Sequence, residues 1–134
     1  MRRLLAVALL SLSCCSGSKD LQASQQAIAR FHAELNQAQF DQIYAESSPD
    51  WKQATKQADT IKLFSAIHNK LGLYINGKQD AWRVNYGSGG NTVVVQLQSK
   101  YQKGNATELF TLTDSGGSAQ LIGYNINSLA LLPG

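Results

Sequence analysis

Beyond residue 15 this 134-residue sequence has no cysteine. That excludes an internal disulfide, a thiol nucleophile and a thiolate metal site, and leaves packing as the source of stability. Histidine is nearly as scarce: His32 and His68 stand far apart, without a His-x-x-x-His spacing or clustered carboxylates, which argues against a bound metal. No Gly-x-Ser-x-Gly occurs, and no serine, histidine and aspartate fall in a hydrolase order. Gly87-Ser88-Gly89-Gly90 has the glycines of a phosphate loop but leads into the strand-like Asn91-Thr92-Val93, so no helix N-terminus is present to hold an anion. It reads as a hairpin turn. A concentrated basic face is missing too, since Arg2 and Arg3 supply two of the formal net charge of +3. Lys52, Lys56, Lys62, Lys70, Lys78 and Arg83 are dispersed and interrupted by Asp59 and Asp80, which speaks against nucleic-acid binding.

Long hydrophobic runs are also few. The longest is Leu4 to Leu12, preceded by Arg2-Arg3 and followed by Ser13-Cys14-Cys15. This is far below the ~20 apolar residues of a spanning helix and has the layout of an export signal. Leu12-Ser13-Cys14-Cys15 resembles a bacterial lipoprotein lipobox with Cys15 as the acylated residue, and the alternative frame Ser11-Leu12-Ser13-Cys14 places the lipid on Cys14. The resemblance implies cleavage after residue 14, a short tether over 15–20, and a membrane partner reached through the lipid anchor. With no aspartate directly after the cysteine, it implies the periplasmic side of the outer membrane in a diderm host. The chain remaining after the signal, about 120 residues, is enough for one domain with one core.

Leu21, Ile28, Phe31 and Leu35 recur on one helical face and predict a helix ending near Asn36. Phe40 to Ala45 predicts a short second helix. Ser48, Pro49 and Asp50 have the chemistry of a helix start, and Thr55 is read as the cap of a long helix in which Ile61, Phe64, Ile67 and Leu71 repeat before Gly72 stops it. Leu73-Tyr74-Ile75 adds a short strand, and Asn76-Gly77 reads as a turn.

From Trp82 to Asn127 the sequence alternates strand-like runs with glycine-rich turns, a four-stranded antiparallel meander. Trp82, Val84 and Tyr86 share one face, Val93, Val95, Leu97 and Tyr101 another, while Gln96, Gln98 and Lys100 point outward. Helices first and an antiparallel sheet second is an α+β order. This succession resembles the nuclear transport factor 2-like fold, a curved sheet wrapped around helices into a cone. Phe40-Asp41-Gln42-Ile43-Tyr44, Lys70-Leu71-Gly72 and Leu121 to Asn127 resemble, more narrowly, the bacterial exported family of unknown function of 4019 type. The similarity covers residues 22 to 128, with the domain read as 21–128 and a C-terminal tail over 129–134. Such domains often have tryptophan entering the last strand, where this chain has Ala119.

Enzymes of that fold, ketosteroid isomerase-like and dehydratase-like, work inside the cone with an aspartate or histidine base and tyrosine or aspartate donors. The resemblance therefore points to Asp41, Asp59, His32 and His68, with Tyr44, Tyr86 and Tyr124. Asp59 and His68 lie on different turns of one helix, and both histidines read as boundary or surface residues, so no catalytic residue is assigned. Tyr44, Trp51, Trp82, Tyr86 and Tyr124 are the candidate contacts to a ligand or partner, because aromatics with polar tips line cavities and anchor proteins. The expectation is a non-enzymatic, lipid-anchored binding module for a protein or a small apolar ligand, without cofactor, metal or nucleic acid. The alternatives are an inhibitor or immunity-type lipoprotein and an enzyme acting in the cone.

Overall fold

The computed structural model describes residues 16–114 and 118–133. The lipobox, with Cys14 and Cys15, lies outside the described residues, as does the centre of the expected turn after Asp114. Four helices come first: α1 (Ser16–Asn36), α2 (Phe40–Glu46), α3 (Pro49–Ala54) and α4 (Gln57–Leu71). Strands β1 (Tyr74–Asn85), β2 (Asn91–Tyr101), β3 (Gly104–Asp114) and β4 (Ala119–Asn127) come next and pair antiparallel in sequence order.

Helix α1 extends back through the residues expected as a tether. Asp20 on its first turns is buried and accepts a hydrogen bond from Asn91 Nδ2 at 2.8 Å, tying the helix to the start of β2. Ile28, Phe31 and Leu35 form its buried stripe, as their spacing dictates. The Ser48 hydroxyl accepts from Trp51 N–H, with Pro49 in the first helical turn, so α3 starts where capping chemistry places it. Thr55 does not cap α4. Its N–H closes α3 on Trp51 O at 2.8 Å, and Lys56 occupies the N-cap without a side-chain bond. Gly72 ends α4 at a φ of +72°, where a Cβ would also lie 2.8 Å from Gln102 Oε1.

The largest difference from the sequence reading is β1. Asn76-Gly77 is not a turn: the strand runs through it, paired with β2 from Tyr74↔Tyr101 to Asn85↔Thr92, and absorbs the dipeptide as an irregularity between Tyr74 and Asn76. At Gly77 a Cβ would lie 2.6 Å from the Tyr74 hydroxyl, so glycine serves there to admit a neighbouring side chain. A second irregularity lies between Gln79 and Ala81. In the Trp82, Val84, Tyr86 row only Val84 is half-buried. Because β1 is an edge strand, Trp82 is 50% and Tyr86 64% exposed.

The core lies between the helices and the inner sheet face. Phe31, Phe64, Phe110 and Tyr124 pack with ring centroids 5.1 to 5.5 Å apart. Val93, Val95 and Leu97 of β2 and Ala106, Phe110 and Leu112 of β3 complete it. The expected tail instead folds back as a 3-10 turn over Leu129–Leu131, held by Ser128 Oγ donating to Asn105 O at 2.6 Å and Lys70 Nζ donating to Leu131 O at 3.2 Å.

Candidate functional site

The inward row of β3 reads Ala106, Glu108, Phe110, Leu112, so strand alternation alone places a carboxylate in the apolar layer. Glu108 is completely buried. Four donors surround it. Its Oε1 accepts from Ser99 Oγ at 2.5 Å and from His32 Nε2 at 2.9 Å. Its Oε2 accepts from Tyr124 Oη at 2.5 Å and from Tyr101 Oη at 2.9 Å. Ser99 and Tyr101 come from the inner face of β2, Tyr124 from β4, and His32 from α1, so the hub ties the first helix to three strands.

Burial acts to raise the pKa of Glu108, but the hydrogen bond and charge of His32, with the bonds from Ser99 and Tyr124, outweigh it and hold the carboxyl below its ordinary value. Burial and then the Glu108 charge push Tyr101 and Tyr124 upward, and the same two causes raise Tyr74. The tyrosines therefore stay protonated and serve as donors. His32 must carry its proton on Nε2 to complete the set.

His32 is the link to solvent-facing space. Its ring stacks on Tyr74 with centroids 3.6 Å apart and planes 2° from parallel. Asn36 fixes Tyr74 from the same helix: Oδ1 accepts from Tyr74 N–H at 2.8 Å and Nδ2 donates to Tyr74 O at 3.1 Å. Beside this stack an open groove of about 460 Å³ runs between α1 and β1. Ile28, Val95 and Leu97 line its apolar part, and Ala29, Ala33 and Gly77 border it with little bulk. Glu108 does not reach the groove; His32 does.

The five aromatics selected from the sequence do not converge. Tyr124 belongs to the hub. Trp51 is core, 7% exposed, with Nε1 donating to Thr60 Oγ1 at 3.0 Å and its ring facing Phe64. Tyr44 is half-buried beneath Lys52, whose ammonium lies 5.9 Å from the ring centre. Trp82 borders a separate depression of about 270 Å³ with Ala81, Arg83, Val94, Gln96 and Leu109, and Tyr86 is exposed. Asp41 and Asp59 are exposed, and His68 is half-buried with Phe40 beside it. His32 is not the boundary residue its sequence context suggests, being 4% exposed and bound to Glu108. Sequence reasoning missed Glu108 and Ser99; the signal was there in the period of two on β3 and β2, which makes both inward-facing. Among the described residues no group of three or more histidine, cysteine, aspartate or glutamate side chains is arranged to hold a metal ion.

No family model and no curated protein matches this chain. Among solved structures it resembles a scytalone dehydratase-like protein of Novosphingobium aromaticivorans DSM 12444, with a TM-score of 0.52 and 12% identity over 81% of this chain and 83% of that one. The fold is nuclear transport factor 2-like. At this identity the likeness concerns architecture: helices packed into the concave side of a bent antiparallel sheet. In this chain the cone's interior is occupied by aromatic rings and the Glu108 hub, and an open groove lies beside it between α1 and β1.

Proposed function

We propose that this protein is a non-enzymatic binding module of the bacterial cell envelope, acylated at Cys15, with its ligand site in the groove between α1 and β1. The carrying observation is that groove next to a saturated hub. Its volume lies within the range of small-molecule sites, it is lined mainly by apolar side chains, and the nearest carboxylate has all its acceptor capacity engaged by four donors. A carboxylate so engaged is a poor proton acceptor toward a substrate. No described helix is long and apolar enough to cross a membrane; the anchor in this proposal is the acyl group, on the strength of the lipobox-like Leu12-Ser13-Cys14-Cys15.

The test is amide chemical-shift mapping with a library of small uncharged fragments. Saturable shifts confined to Ala29, Ala33, Tyr74 and Gly77 support the site, and shifts confined to the Trp82 depression overturn it.

A second reading has one observation in its favour. A histidine oriented by a buried carboxylate and bordering open space is the arrangement of a general acid or base, so His32 is the residue that would move a proton at this groove. On that reading the inhibitor and binding roles give way to an enzyme. A fragment that binds equally to wild type and His32→Gln, without chemical change over days, supports the binding module instead.

A further inference from the structure

The groove carries information about its occupant. Among the described residues that line it there is no Lys, Arg, Asp or Glu, and the titratable ones are Tyr74 and His32, the latter already engaged by Glu108. A charged group that entered it would leave water and find no opposite charge among those residues to receive it. The groove is also bounded along its length. At one end Asn36 clasps the backbone of Tyr74 through both atoms of its amide, and toward the other Gln25 Nε2 donates to Gln79 Oε1 at 3.1 Å, bridging α1 and β1. An extended peptide would need an open run along the strand, whereas these two crossings delimit a compact space.

The Gln25–Gln79 bridge is exposed, and each carboxamide can both donate and accept. Exchanging their mutual bond for bonds to a ligand therefore leaves no polar atom stranded, provided the ligand supplies a neutral group of matching capacity. Ala29 and Ala33, four residues apart on α1, and Gly77 on β1 add little side-chain bulk to a lining whose buried apolar part is Ile28, Val95 and Leu97.

From these features, and resting on the groove being the ligand site, we infer that the ligand is an uncharged, largely apolar small molecule carrying one amide or hydroxyl group, which both donates and accepts and which the Gln25–Gln79 pair recognises. Charge selects against lipid headgroups, nucleotides and amino acids, and the amide pair orients what remains.

Three probes sharing one ring system test this: 2-naphthamide, 2-naphthoate and 2-naphthylmethylammonium. They are titrated at pH 7 into the full-length chain carrying Cys14→Ser and Cys15→Ser, which keeps it unacylated, and read by the backbone amides of Ala29, Ala33 and Gly77. The expected result is that the naphthamide binds at least about tenfold more tightly than either charged probe. In a Gln79→Leu variant, with unchanged thermal midpoint, that preference shrinks severalfold. If either charged probe binds at the same amides as tightly as the naphthamide, the neutral class is wrong while the groove stands. A preference of the same size in Gln79→Leu as in wild type removes the amide pair from recognition. If none of the three probes shifts these amides, the groove itself is not the site, and both readings fall.

Discussion

Glu108 holds a charge at a position where its neighbours on the same face, Ala106 and Phe110, are apolar core. Such a group is tolerable only while its donors are present, because each one removed leaves part of a buried carboxylate unsatisfied. Tyr124→Phe leaves Oε2 with Tyr101 alone, and the expected loss is about 1–3 kcal/mol, read from urea unfolding. The hub also gives acid sensitivity a definite sign. Since the folded carboxyl titrates below its ordinary 4.5, its contribution is present above that value and lost as pH falls through the lower, folded one. The urea midpoint of wild type should therefore fall more steeply below about pH 4.5 than that of Glu108→Gln, and parallel curves would show that the carboxylate is not ionised in the fold. Sequence inspection reached the donors Tyr101 and Tyr124 as aromatics but not the acceptor, because a glutamate in a strand that ends near solvent looks ordinary. His32 was legible as a helical residue beside Phe31, and its role depends on a partner 76 residues away, which no local pattern reveals.

The elements themselves were largely written in local chemistry. Apolar spacing located α1 and α4, the Ser48-Pro49 pair located α3, and glycine-rich turns separated β2, β3 and β4. Ser48→Ala should cost about 1 kcal/mol by loss of its bond to Trp51 N–H, measurable as a shift in thermal midpoint. The Asn76-Gly77 turn failed for a physical reason: a dipeptide that suits a tight turn also suits a strand in which glycine makes room for the ring two positions from Asn76. The contact between α1 and α2 has its own titration. Burial first, then the hydrogen bond and charge of Glu46, push Glu34 up to about 7, while Arg30 opposes the rise. Arg30 Nε lies 3.3 Å from Glu46, and Gln42 Nε2 donates to the same carboxyl at 3.0 Å. The stabilisation from protonated Glu34 is complete below its ordinary 4.5 and disappears as pH rises through about 7. Wild type should thus lose stability relative to Glu34→Gln between those values, with the Glu34 carboxyl carbon titrating near neutrality by NMR.

For the molecule as a whole, the cone shape was readable from the order of helices and strands, whereas the position of the free space was not. It depends on how α1 lies across an edge strand, and that is set by contacts between distant residues such as Asp20 with Asn91 and Asn36 with Tyr74. The anchor is a prediction at this scale: labelled fatty acid should enter wild type and be lost in Cys15→Ala, and label retained in that variant would move the modification to Cys14. Trp82 and Trp51 give a simple check on the packing. Acrylamide should quench one tryptophan strongly and the other weakly, and Trp82→Phe should remove the quenchable component. The two crossings that delimit the groove are built from carboxamides and backbone, with no ion pair in either. Counter-ions have little to screen there. The aperture should consequently keep its width from dilute buffer to strong brine, read as unchanged amide shifts of Ala29, Ala33 and Gly77 across that range.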